Sequence, residues 1–414
     1  MTTTARETIE AVLRGTLGYE AGLDALLVAP PARVDPALTA ALRDACAARW
    51  QGGWQPVELH RTISRRGQPI HAELVTDAVA AQLRRFPPAT VDPRWREQAR
   101  ALDARVWWTD DAAYLGEFAA RRRSDRVAVL DAVLTTHALL AELPPIEMLV
   151  PPPGTTAAPG RPDVGAARVD TRLLDRVRAL LAKAESTGYP AEAEAYSAKA
   201  QELVTRHSLA EALLTVRAGH GNVPAQPLAR RIGVDHPYEG ERAALLDAVA
   251  RANRCHTVWS PEFGFSTVFG FDVDIDAVDL LHTSLLVQAH RAMARTEPPG
   301  GKAGRKRLKA YRQSFLVAYA VRIGERLADV TRSALAGSGA DADPATATDR
   351  ADLLPVLAAR DEQVREAMHR VFPRTVRARG GRVDSRAGWE SGRDAADRAD
   401  LHAPAPPTPV RADG

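Results

Sequence analysis

Apolar residues recur at helical spacing through most of the first 143 residues. One stripe runs through residues 70–86. A second runs through residues 124–143 and consists of Val127, Leu130, Leu134 and Ala138. A recurrence of three and four residues places apolar side chains on one face of a helix. Residues 1–143 are therefore predicted to form an N-terminal helical domain.

Two further stripes lie in the middle of the chain, on either side of a break at residues 186–188. They consist of Leu173, Leu174, Val177, Leu180, Leu181 and Ala184, and of Ala193, Tyr196, Ala200, Leu203 and Val204. Two helices joined by a short turn pack antiparallel, so residues 169–216 are predicted to form a helical hairpin. Prolines and glycines predict an unpacked, Pro-rich linker over residues 144–168 and a second linker over residues 217–230.

The pattern changes after the second linker. Two runs rich in β-formers, residues 255–259 and 266–271, flank a short turn and predict a β-hairpin. Helical spacing returns at residues 272–294 and 308–335. We therefore predict an α+β domain over residues 231–335, a linker and a helix over 336–372, and an Arg- and Pro-rich flexible tail over 373–414. The predicted fold class is mainly α.

Composition agrees with packed helices, since apolar residues make up 45% of the chain and aromatic residues 5%. A formal net charge of +3 does not indicate a nucleic-acid binder, so the distribution of basic residues matters more. The two cysteines, Cys46 and Cys255, do not make a disulfide framework. The first ten residues do not resemble a signal peptide, and we find no run of about 18 apolar residues. We expect a cytoplasmic protein that does not contact a membrane.

The central segment carries three short motifs. Residues 180–188 are LLAKAESTG, residues 191–195 are AEAEA, and residues 199–209 are KAQELVTRHSL. These motifs resemble the family called domain of unknown function 2786, whose leucine-rich helix ends in A-x-S and is followed by E-A-E-A and K-A-Q-E-L-M-x-K-H. Val204 and Arg206 stand where that family has Met and Lys. The region up to residue 335 resembles the uncharacterised domain that often follows this hairpin in phage and bacterial proteins.

The resemblance implies a helical hairpin but no catalytic residues, because the function of the family is itself unknown. The family motif comprises Lys183, Glu192, Glu194, Tyr196, Lys199, Gln201, Glu202, Leu203 and His207. Packing explains most of these positions, since Tyr196 and Leu203 lie on the apolar stripe and the stem of Lys199 can cover it. A ligand-binding role is the alternative, and the hairpin is also a candidate surface for a protein partner.

Three groups of side chains have the residue types of metal or catalytic sites. They are His71 with Glu73; Asp272, Asp274, Asp276 and Asp279; and Cys255, His256, His282 and His290. The first pair matches half of a zinc deaminase motif, but the chain has no C-x-x-C. The aspartates lack the glycine and glutamate of an EF-hand. The last group could bind zinc only if the β-hairpin met the following helix. We predict no metal site and no cofactor.

The best functional indication is a dense group of basic residues between a glycine-rich stretch and a helix. We call it the basic cluster, and its members are Lys302, Arg305, Lys306, Arg307, Lys309 and Arg312. A flexible, positive loop over residues 302–312 would suit phosphate contacts. A second basic run comprises Arg370, Arg374, Arg377, Arg379, Arg382 and Arg386. A solvated loop and a disordered tail would explain both without a function.

These observations favour a non-enzymatic protein that associates with nucleic acid or acts as an adaptor. A metal-dependent hydrolase, for example a nuclease, is one alternative, and it would use the aspartates or the group around Cys255. A purely structural module for protein–protein contact is another. The first hypothesis predicts that binding weakens steeply as salt rises, because phosphate contacts release counterions.

Overall fold

A computed structural model of the chain describes residues 4–155, 171–186, 196, 199–205, 208, 226–296, 304–337, 345–376 and 381–399. The chain divides into two compact units, Met1–Gly165 and Ala166–Gly414. These described residues are mainly helical, with a small antiparallel sheet in the second unit, which confirms the predicted fold class. Among the same residues, no helix combines the length and apolar character that a membrane span requires.

The first unit is built mainly from helices. They are α1 (Ala5–Leu13), α2 (Tyr19–Val28), α3 (Pro31–Gln51), α4 (Pro56–Arg66), α5 (Pro69–Leu83), α6 (Pro93–Ala101), α7 (Tyr114–Arg122) and α8 (Arg126–Ala141). Helices α3 to α6 each begin at a proline. Proline suits this position because its missing N–H would have no partner within the helix.

The stripe predicted on α8 is half right. Leu130 and Leu134 are fully buried, but Val127 is 48% exposed and Ala138 is also exposed. The buried face of α8 is wider than one stripe, because α8 packs against several of its neighbours, α3 and α5 among them. Its buried residues are Val129, Leu130, Ala132, Val133, Leu134, Thr136 and Leu140.

The first part of the predicted linker packs against this unit instead of lying free. Residues 144–155 form no helix or strand, but two buried tryptophans donate hydrogen bonds to the backbone of this segment. Trp54 Nε1 donates to the carbonyl oxygen of Pro144 at 2.8 Å, and Trp95 Nε1 donates to that of Pro151 at 3.0 Å. A buried indole N–H needs an acceptor, so the prediction of an unpacked segment was wrong for these residues. Residues 156–168 lie outside the described part.

The second unit combines helices with the sheet. Its elements are α9 (Thr171–Ser186), β1 (Leu228–Gly233), α10 (Glu239–Ala252), β2 (His256–Ser260), β3 (Phe265–Gly270), α11 (Asp272–Thr296), α12 (Arg305–Gly337), α13 (Ala345–Val371) and α14 (Arg386–Arg398). Residues 199–205 are also helical.

The predicted β-hairpin is present as β2 and β3, and β1 joins it as a third antiparallel strand in the order β1-β3-β2. β1 begins at Leu228, inside the stretch predicted to be a linker, so that prediction was wrong from there on. β3 is buried on both faces. Val268 points into the large core, whereas Phe269 packs with Val364 of α13.

The two predicted halves of the helical hairpin share one core. Val177 and Leu181 of α9 and Ala200 and Val204 of the second helical stretch are buried in a single apolar cluster. The same cluster includes residues of α10, α11 and α12. Both helical stretches therefore contribute to the core of the second unit. The turn at residues 187–195 lies outside the described residues.

The predicted flexible tail contains α14, which packs along α12. An added Cβ at Gly388 would lie 2.4 Å from the carbonyl oxygen of Tyr311, and one at Gly392 would lie 2.3 Å from that of Phe315. Only glycine permits backbones to approach so closely. Since the contacts advance by four residues on both helices, α14 runs parallel to α12. The prediction of a flexible tail was therefore wrong for residues 381–399; residues 377–380 and 400–414 lie outside the described part.

Candidate phosphate-binding surface

Most of the basic cluster lies on the first turns of α12. Arg305, Lys306, Arg307 and Lys309 are exposed, and Arg312 is half-buried; Lys302 lies outside the described residues. The sequence predicts a flexible loop here, but the structure shows a helix from Arg305 onward. Arginine, lysine and leucine are good helix formers, so the charged run forms the first turns of α12 instead of a loop before it.

The four exposed residues of this cluster, which we call the exposed cations, have no hydrogen-bond or ion-pair partner among the described residues. Arginines farther along the same helix do have such partners. Arg322 pairs with Glu325 at 2.8 Å, and Arg332 pairs with Asp329 at 2.8 Å. Among the described residues, the positive charge at the start of α12 is therefore not balanced, whereas that of Arg322 and Arg332 is.

The second basic run is partly neutralised. Arg382 pairs with Asp384 at 2.8 Å, and Arg386 pairs with Glu390 at 2.8 Å. Arg370 and Arg374 are exposed, and Arg377 and Arg379 lie outside the described residues. Arg386 begins α14, which packs along α12, and Arg382 lies four residues earlier. Because their charges are balanced locally, they add little net positive charge to that region.

The aspartates at the start of α11 hold an arginine. Arg230 of β1 donates to Asp276 at 2.5 Å and to Asp272 at 3.0 Å. Asp274 is buried, and burial raises the pKa of Asp279 despite the nearby guanidinium of Arg230. Asp272 and Asp276 thus tie β1 to α11 as ion-pair partners of Arg230.

Cys255 and its neighbouring histidines do not converge on one point. His256 donates to Asp361 of α13 at 3.0 Å, and His290 accepts from Arg242 at 3.0 Å. His282 is buried with no partner for its Nε2 atom, and burial lowers its pKa to about 4. Burial also raises the pKa of the Cys255 thiol. Each of these side chains is held in a different environment, so together they do not form a zinc site.

The H-x-E pair of the first unit is also divided. His71 is buried at the start of α5, and burial lowers its pKa. Glu73 forms an ion pair with Arg122 of α7. Within the described ranges, no group of three or more His, Cys, Asp or Glu side chains could hold a metal ion.

The family motif is anchored in the core through Gln201. This side chain is fully buried, and its Nε2 atom donates to Oδ1 of Asn253 at 3.0 Å. Asn253 ends α10 and donates in turn to the carbonyl oxygen of Val249 at 2.9 Å. The two residues are 52 positions apart. A buried amide needs such partners, so Gln201 is explained by structure.

Other described motif residues lie closer to the surface. The amine of Lys183 lies 5.5 Å from the ring centroid of Tyr196, within range of a cation–π contact. Lys199 pairs with Glu202 at 2.8 Å, and Leu203 packs at the edge of the core. The remaining motif positions, Glu192, Glu194 and His207, lie outside the described residues.

Through the buried contact of Gln201, the motif residues anchor this segment in the second unit. Residues 172–211 match the model of a family described as "Protein of unknown function (DUF2786)". The resemblance stated from the motifs is thereby confirmed for this segment. No curated protein matches the chain, and no solved structure matches it.

A second link joins the DUF2786 segment to the end of α10. Nη2 of Arg254 donates to Oγ of Ser208 at 3.0 Å. Arg254 has a φ of 57°, a left-handed conformation that is uncommon for residues other than glycine, and burial lowers its pKa. Sequence reasoning missed both Asn253 and Arg254, because their partners lie 52 and 46 positions away.

Proposed function

We propose that this protein associates with nucleic acid and binds its phosphate groups through the exposed cations of α12. The observation that carries this proposal is the lack of any carboxylate partner for Arg305, Lys306, Arg307 and Lys309 among the described residues. Two basic side chains farther along the same helix, Arg322 and Arg332, gain compensation from a nearby acid. Four cations within five residues without such partners form a local positive potential, which attracts phosphate groups.

The position of these residues on the helix supports the proposal. The first turn of α12 contains no acidic residue. Cations at this end of a helix are unfavourable, because the helix dipole is positive there. A phosphate would interact favourably with both the side chains and the helix end. The cations at this helix end therefore destabilise the free protein, and binding of a polyanion would offset that effect.

The distribution of lysine is also uneven. The chain has five lysines, namely Lys183, Lys199, Lys302, Lys306 and Lys309. Three of them lie within eight residues in the basic cluster. Both lysine and arginine bind phosphate, lysine as a compact charge and arginine as a planar fork. The cluster contains both types.

The same observations favour nucleic acid over an adaptor role. An adaptor helix needs an apolar face that a partner can cover. The apolar stripe of α9 is buried, because Val177 and Leu181 pack in the core of the second unit. The exposed cations, in contrast, point into solvent.

Charge reversal tests the proposal. The triple variant Lys306→Glu, Arg307→Glu and Lys309→Glu should lose at least about tenfold in affinity for a 20-nucleotide DNA, single-stranded or duplex, in 0.1 M salt. The change Arg332→Glu, at the far end of the same helix, is the control and should bind as the wild type does. Fluorescence anisotropy measures both, and circular dichroism checks that the helices are retained. Unchanged binding by the folded triple variant would show that the proposal is wrong.

A further inference from the structure

The exposed cations do not all lie on one face of α12. Successive residues of a helix are rotated by about 100°. Taking Arg305 as the origin, Lys306 lies at about 100°, Arg307 at about 200° and Lys309 at about 40°. Arg307 and Lys309 therefore point to nearly opposite sides of the helix. A single strand lying along one face would contact only part of this set.

The aromatic residues that follow these cations on α12 are turned into the core. Tyr311 and Phe315 are the aromatic residues that follow on α12, and they are only 3% and 0% exposed. The hydroxyl of Tyr311 donates to the carbonyl oxygen of Thr296 at 2.9 Å, which holds the ring inward. Proteins that bind single strands stack bases on exposed aromatic rings. At this surface, Tyr311 and Phe315 cannot provide that platform.

The dimensions of the exposed end match a groove. The first fully buried residue along α12 is Tyr311, six residues after Arg305, so the exposed end is about 9 Å long. The major groove of B-form DNA is about 12 Å wide and about 8.5 Å deep, and it admits one helix. The major groove of A-form RNA is deep but too narrow for side chains to reach into.

We infer that the partner is double-stranded DNA, and that the exposed end of α12 enters the major groove with cations facing the phosphates of both strands. This inference rests on the proposed function and names its substrate class. Arg307 contacts the backbone on one side of the groove, and Lys309 contacts the backbone on the other. The contacts are to phosphates, so they position the helix without reading a sequence.

A comparison of three ligands tests the substrate class. The full chain is titrated with a 20-base-pair DNA duplex, with one of its strands, and with an RNA duplex of the same sequence, over a series of salt concentrations. We expect the DNA duplex to bind at least about tenfold more tightly than the other two. Equal or tighter binding of the single strand or of the RNA duplex would overturn the inference and leave the proposed function standing. If none of the three binds, the proposed function itself fails.

Two single substitutions test the groove geometry. Arg307→Gln and Lys309→Gln should each reduce the slope of log affinity against log salt by about 1, because each removes one phosphate contact. Arg332→Gln is the control and should leave the slope unchanged. If only one of the two substitutions changes the slope, α12 lies against one strand, and entry into the groove is wrong.

Discussion

Replacing Gln201 by alanine should destabilise the second unit, because the change leaves Oδ1 of Asn253 buried without its donor. The 3.0 Å bond from Gln201 Nε2 is the shorter contact of this pair, since the return contact from Asn253 Nδ2 to Gln201 Oε1 measures 3.5 Å. A buried acceptor left without a partner costs about 1–3 kcal/mol. The expected loss of stability is therefore about 2 kcal/mol, mostly from one broken hydrogen bond.

Differential scanning calorimetry of the full chain measures this loss in the transition of the second unit. For a unit of this size, each kcal/mol corresponds to about 2–4 °C in Tm, so we expect a decrease of about 4–8 °C. The control is Lys199→Ala on the same helical stretch. The Lys199 side chain is 49% exposed and its ion pair with Glu202 lies at the surface, so its removal should cost at most about 1 kcal/mol.

A double-mutant cycle with Asn253→Ala separates the hydrogen bond from the loss of packing. The two residues should be coupled by about 0.5–3 kcal/mol. If Gln201→Ala melts with the wild type, or if the coupling energy is near zero, then the buried amide pair does not hold the family segment to α10. The motif glutamine would then need a different explanation.

Two further predictions concern the same unit. Burial lowers the pKa of His282 from 6.5 to about 4, so its contribution to stability is complete above pH 6.5 and is lost as pH falls toward 4. The free energy of unfolding should fall by about 3 kcal/mol over this range. Urea unfolding should show a smaller decrease for the variant His282→Phe, which has no imidazole to protonate. Equal pH dependence in the wild type and the variant would contradict this assignment. The variant Gly392→Leu should displace α14, because its Cβ would lie 2.3 Å from the carbonyl oxygen of Phe315. We expect a destabilisation of about 1–3 kcal/mol and faster proteolysis before residue 386, and an unchanged cleavage rate would refute the packing described.

Local periodicity was enough to predict the elements whose apolar residues recur regularly. The stripe on α9 was predicted from spacing alone, and Leu174, Val177, Leu181 and Ala184 are indeed buried. The β2–β3 hairpin followed from two short runs of β-formers around a turn. In each case the signal lies within about twenty residues of sequence, where the hydrophobic pattern is decisive.

The elements that sequence reasoning missed depend on distant partners. β1 carries Arg230 and Arg231 at its centre, so its local sequence does not predict a strand. It is held in the sheet by pairing with β3 and by the ion pair of Arg230 with Asp276 of α11. α14 is rich in arginine and glycine, a composition typical of disorder. Gly388 and Gly392 are explained only by the backbone of α12, which lies some 77 positions earlier. No local pattern contains that information.

The sequence groups the residues of the basic cluster but does not reveal their arrangement in space. Their placement on a helix, with Arg307 and Lys309 on opposite sides, follows from where α12 begins. A helix boundary within a run of charged residues has no apolar stripe to mark it, so the sequence favoured a loop.

The shared core of the family segment has a consequence for how such sequences are divided. Residues 172–211 match the family model, but Val177, Leu181, Ala200 and Val204 within them pack in a core that they share with α10, α11 and α12. Excised alone, the stretch would present these side chains to water. A protein that carries the same motif must therefore supply a complementary apolar surface, from its own chain or from another.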